Sequence, residues 1–96
     1  MKSLVFSPTA VADIDRIFNY TEENWGSEQA ENYIFSLRDA CRSLSMQEKH
    51  GRRFDGIKRG YLVLPCGSHF IVYKESRYAL VIVRILHQRM NIGMHL

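Results

Sequence analysis

Tyr78-Ala79-Leu80-Val81-Ile82-Val83-Arg84-Ile85-Leu86 is the stretch on which the fold turns. It is apolar at odd and even positions alike and rich in β-branched side chains. That is the pattern of a strand covered on both faces, and therefore central in its sheet. Two shorter runs precede it, Tyr61-Leu62-Val63-Leu64 and Phe70-Ile71-Val72-Tyr73, and the breaks between runs are Pro65-Cys66-Gly67-Ser68 and Glu75-Ser76-Arg77. Turns this short join consecutive antiparallel strands, so the second half of the chain reads as a three-stranded meander.

Upstream lies a polar, basic, glycine-punctuated loop from His50 to Gly60, and before it the periodicity is helical. Ser7-Pro8 is a helix start, because the serine hydroxyl can accept a free backbone N–H and proline suits the first turn. Val11, Ile14, Phe18, Thr21 and Trp25 then recur at three- and four-residue spacing, with Asp13, Asp15, Arg16, Glu22 and Glu23 read as lying off that stripe. Trp25-Gly26-Ser27 ends this helix and opens a second, whose stripe is Ala30, Tyr33, Ile34, Leu37, Cys41 and Leu44. So short a joint makes an αα-hairpin. Leu4-Val5-Phe6 is too short to stand alone and is expected to join the edge of the sheet. The expectation is one α+β domain over residues 1–96, ordered β-α-α-β-β-β, with the helices packed on one face of the sheet.

Composition narrows the function classes. A 46% apolar fraction with 11% aromatics belongs to a globular chain. No apolar run reaches the ~18 to 20 residues that would cross a bilayer. Pro8 and Asp13 interrupt any export signal, so Cys41 and Cys66 are read as reduced thiols of a cytoplasmic protein. The net charge of +3 is unevenly spread. Residues 7–48 hold eight acidic and three basic side chains, whereas from Lys49 onward there are nine basic and two acidic. A basic second half favours an anionic partner.

In order along the chain, Phe6-Ser7-Pro8-Thr9-Ala10, Tyr20 with Trp25-Gly26, Gln29-Ala30 with Tyr33, and Gly51-Arg52 are followed by Ile57-Arg59-Gly60-Tyr61, Ser68-His69-Phe70-Ile71-Val72-Tyr73 and Arg84-Ile85-Leu86-His87 with Met90 and His95-Leu96. Taken together these resemble the RelE/ParE toxin superfamily, and within it the ParE branch, over nearly the whole chain. The resemblance implies the toxin of a bacterial type II toxin–antitoxin pair. For the ParE branch it implies poisoning of DNA gyrase without chemistry by the toxin. For the RelE branch it implies cutting of messenger RNA on the ribosome.

An RNA-cutting site needs a general base, a general acid and cations for the phosphorane charge. Arg84 and His87 are the candidates for those roles. The nuclease branch, however, commonly carries a tyrosine near its end, and residues 87–96 contain none. The expectation is therefore a non-enzymatic toxin without cofactor, the ribosome-dependent mRNA endonuclease being the alternative. Gyrase contacts are expected at Trp25, Arg84, His87, Arg89 and Met90, the last two on a flexible tail removable without loss of the fold. The partners expected are DNA gyrase and an antitoxin with an acidic, apolar segment, the latter held by Arg59, Tyr61, Arg77 and Arg84. Neither a membrane nor direct sequence-specific nucleic-acid binding is expected. Cys66 and His69, with His87 and His95, lack the second ligand pair of a structural zinc site, so no metal is expected. The Asn19-Tyr20-Thr21 sequon falls inside a helix and is read as accidental.

Overall fold

Strand becomes helix at Ser7. Its N–H donates to the Ile82 carbonyl (2.9 Å), and its hydroxyl donates to the Val83 carbonyl (2.7 Å) while accepting the Ala10 N–H (3.0 Å). Pro8 then takes the first helical position, where a missing N–H costs nothing. The computed structural model describes all 96 residues. It contains β1 (Ser3–Phe6), α1 (Pro8–Trp25), α2 (Ser27–Ser45), β2 (Leu62–Cys66), β3 (His69–Glu75), β4 (Ala79–His87) and a closing 3-10 turn, Ile92–His95. Gly26 reverses the chain between the helices at φ +91°, a value an L side chain rarely adopts.

The four strands form one mixed sheet in the order β1-β4-β3-β2. β2, β3 and β4 are the antiparallel meander, and β1 lies parallel to β4 from Ser3 opposite Ala79 to Phe6 opposite Ile82. A parallel neighbour needs a long crossover, which the helical hairpin supplies. β4 is thus interior, as its apolar composition requires. Leu80, Ile82 and Ile85 join Ala10 and Ile17 of α1 and Leu37, Cys41 and Leu44 of α2 in the main core. Leu86 lies in a second cluster with Val63, Val72 and Ile92. Val72 pairs with Arg84 but Tyr73 with Ile82, so Val83 is an extra residue that bulges β4.

Two expectations need correcting. The buried stripe of α1 is Ala10, Asp13 and Ile17, whereas Val11 is exposed, and so is Trp25, for which a surface contact was expected as much as a core position. The helix is rotated so that an acidic residue, read as solvated, points inward. The end of the chain is also not a loose tail. Ile92 is 7% exposed and packs on the sheet face away from the helices, where Phe54, Ile57, Tyr61, Phe70 and Leu96 complete the cover. Phe54 meets Phe70 edge-on, and a Cβ on Gly93 would lie 2.7 Å from the Gly56 carbonyl. The 50–60 loop and the chain end therefore form a thin second layer.

Candidate functional site

β1 ends opposite Ile82, so beyond the bulge the edge of β4 has no strand partner. Asp13 takes its place. One carboxylate oxygen accepts the Ile85 N–H (3.0 Å) and Arg84 Nε (2.8 Å), and the other accepts Arg84 Nη2 (2.9 Å) and a contact from Arg16. Arg84 Nη1 donates to the His95 carbonyl (3.0 Å), which anchors the chain end. At 3% exposure Asp13 would be prohibitively costly unpaired; the bidentate guanidinium and the backbone N–H together offset its desolvation. Hydrogen bonding to Asp13 in turn pushes the Arg84 proton affinity above its usual value.

Beside this pair a cleft of about 600 Å³ opens between the helical hairpin and the β2–β3 turn end of the sheet. Arg16, Tyr20, Trp25 and Gln29 line its helical wall, and Tyr33, Ser68, His69, His87 and Arg89 are among the remaining lining residues. His69 and His87 are cross-strand partners with ring centroids 5.3 Å apart. The Tyr33 hydroxyl accepts the Ser68 N–H (3.0 Å) and lies 2.6 Å from His69 Nδ1. That short contact is a hydrogen bond whose donor is set by the His69 tautomer. Burial, and then the neighbouring His87, push the His69 pKa down to about 4. His87 Nδ1 accepts the Arg89 N–H (3.1 Å), leaving Nε2 as its protonated nitrogen. Burial raises the Tyr33 hydroxyl. Gly67, at φ +58° in the β2–β3 turn, lets the chain pass the Tyr33 ring, which a Cβ there would meet at 2.7 Å.

The cleft brings together three expected site residues, Trp25, His87 and Arg89. Arg84 is committed to Asp13, and Met90 is outside the lining. Arg59 is exposed on the loop, and Tyr61 is half-buried under the Lys74 ammonium. Arg77 lies over the exposed Tyr78 ring in the β3–β4 turn. Asp13, Arg16, Tyr20 and Tyr33 were not expected at a site. For Asp13 the local signal is its spacing of three from Ala10 and four from Ile17, which a purely apolar criterion discards. No three His, Cys, Asp or Glu side chains converge as metal ligands would. Cys41 is buried, its thiol pushed up to about 12 by that burial, and Cys66 is half-buried. No helix is long and apolar enough to cross a membrane.

Residues 4–92 match the family model described as the ParE toxin of the type II toxin–antitoxin system parDE. The chain belongs to the ParE toxin family. It is 36% identical over 93 residues to Toxin ParE1 of Mycobacterium tuberculosis, covering 96% of this chain and 95% of that one. To Toxin ParE1 of Caulobacter vibrioides it is 34% identical over 96 residues, covering 100% and 99%. Among solved structures it resembles a chain of the chromosomal ParDE system from P. aeruginosa, with TM-score 0.79 at 21% identity over 91% of this chain and 96% of that one. The YoeB dimer structure from Staphylococcus aureus gives TM-score 0.63 at 17% identity, covering 91% and 97%, a likeness of fold. This ParE toxin is therefore one half of a toxin–antitoxin pair and has a cognate antitoxin.

Proposed function

We propose that this ParE toxin inhibits DNA gyrase in the cytoplasm without chemistry of its own, and that a directly bound antitoxin silences it. The observation that carries this is the engagement of Arg84. All three of its guanidinium nitrogens are bonded, two to Asp13 and one to the His95 carbonyl, so Arg84, the cation the nuclease reading assigns to the phosphorane, is occupied. His69, neutral down to about 4, is no general acid near neutral pH, where a group titrating close to 7 serves best. What the cleft does offer is protein-contact chemistry: Trp25 and Tyr20, both largely exposed, meet edge-on at 6.1 Å beside two arginines. For the antitoxin, Arg77 over Tyr78 presents charge and apolar area at one point, which suits an acidic, apolar segment that orders on binding.

One observation favours the ribosome-dependent mRNA endonuclease as a second reading: His87, Arg16 and Arg89 share a cleft with the Tyr33–His69 pair. Purified toxin added to a gyrase supercoiling reaction and to ribosome-bound message separates the two. Loss of supercoiling with accumulation of cleaved DNA complexes, and message left intact, is the expected result. Under the endonuclease reading, His87→Ala would cost on the order of a hundredfold in cleavage. Message cut at defined codons in a His87-dependent way, with DNA unbroken, would overturn the proposal.

A further inference from the structure

The whole positive excess of the molecule sits in one loop. Residues 49–61 carry five basic side chains, Lys49, Arg52, Arg53, Lys58 and Arg59, and one acidic, Asp55, a balance of +4 in a chain whose total is +3. The other residues therefore sum to −1, from eight basic and nine acidic side chains. All five loop cations are exposed, and none is in an ion pair; the three ion pairs of the molecule use Lys2, Arg16 and Arg84. Lys74 of β3, over the Tyr61 ring, adds a sixth cation alongside.

This loop is held, not dangling. Arg52 bridges the edge of β2 through two backbone hydrogen bonds with Val63, of 2.9 and 2.8 Å. Phe54, Ile57 and Tyr61 turn inward onto the sheet face away from the helices, and the Gly93 backbone closes against Gly56. Because its apolar side chains are spent on that face, the outer surface presents charge without an apolar anchor, and no large exposed hydrophobic residue lies within it. An acidic, apolar peptide needs apolar area to bury, and a single strand needs exposed aromatic rings on which to stack. The loop offers neither. It also contains no Ser, Thr, Asn or Gln, the neutral side chains that supplement arginine in reading base edges and ribose hydroxyls.

We propose that the Lys49–Tyr61 loop is a sequence-independent contact surface for the phosphate backbone of duplex DNA, on the opposite side of the sheet from the cleft. It goes beyond the gyrase reading and does not depend on it, since no gyrase is needed for the contact. Five or six phosphate neutralisations give a steep salt dependence, a fall of about 0.9 in log K per contact for each decade of salt.

The test uses purified full-length toxin and a fluorescent duplex of arbitrary sequence, about 20 bp long, followed by anisotropy between about 50 and 200 mM salt. Two double variants remove the same charge, Arg53→Gln with Arg59→Gln on the loop and Arg38→Gln with Arg42→Gln on α2, and far-UV circular dichroism checks that both are folded. The loop pair should weaken binding about tenfold at the lowest salt and reduce the salt slope by about 2, while the α2 pair stays within about twofold of the parent. Equal losses in both pairs, or no binding to the duplex by the parent protein, would overturn the proposal. So would tighter binding to an RNA duplex of matching sequence. A Glu/Leu-rich peptide that binds through Arg53 and Arg59 while the duplex does not would return the loop to the antitoxin. Because gyrase is absent, none of these outcomes bears on inhibition of the enzyme.

Discussion

Replacing Asp13 by alanine strands the Arg84 guanidinium and the Ile85 N–H together. Removing one partner of a buried pair typically costs about 3–5 kcal/mol, and denaturant titration of Asp13→Ala should show a loss on that scale. Asp13→Asn keeps an acceptor for Ile85 and should lose less. His69 supplies a different signature. Its folded pKa of about 4 lies below the ordinary 6.5, so between these values the unfolded chain binds a proton that the folded chain refuses. Stability therefore falls as pH drops from about 6.5 to about 4 and levels off below, and His69→Gln should flatten that part of the profile. An imidazole titrating near 6.5 by NMR would refute it. Little of this residue-level chemistry is legible in sequence. Asp13 finds its partner 71 residues away, and hydrophobic patterning ranks an aspartate as solvated whatever waits for it.

The elements were more open to reading than their contacts. Alternation, turn length and the two-sided apolarity of β4 dictate the meander and its interior strand, and the stripe of α2 faces the core as its spacing requires, with Tyr33 and Ile34 partly buried. α1 shows the limit: its face is chosen by where Asp13 must reach the β4 bulge, which displaces Val11 to the surface. The chain end shows another. Residues 88–96 have no strong periodicity, so that Ile92 covers Val63, Val72 and Leu86 is settled only by tertiary packing. Ile92→Ala should cost about 2–5 kcal/mol by thermal or chemical denaturation, as for other buried isoleucines. Removal of Gln88–Leu96 should for the same reason destabilise the domain as well as impair toxicity, so the two effects must be measured separately. An Ile92→Ala protein as stable as its parent would show that the second layer contributes nothing.

At the scale of the molecule, the sheet divides two kinds of surface: a cleft rimmed by aromatic residues on the helical side, and a cationic, apolar-poor loop on the other. Trp25 is the only tryptophan and is 63% exposed on the rim of the cleft. Its emission in the free toxin should resemble that of a hydrated indole and should shift to the blue when a partner closes over the cleft. Trp25→Ala should leave folding stability nearly unchanged yet weaken such a partner by at least about 2 kcal/mol, the scale of a binding hot spot. Calorimetric titration alongside thermal unfolding separates the two effects, and equal binding by parent and variant would remove the cleft rim from the interface.

The first strand of this chain pairs only with the last. Leu4, Val5 and Phe6 are synthesised well before Leu80, Val81 and Ile82 and must wait for them, and Asp13 waits nearly as long for Arg84. At bacterial synthesis rates of roughly 5–20 residues per second, the delay is about 4 to 15 s. Throughout it the sheet cannot be completed, so a toxin of this topology is born incomplete and becomes competent only after its end has been made.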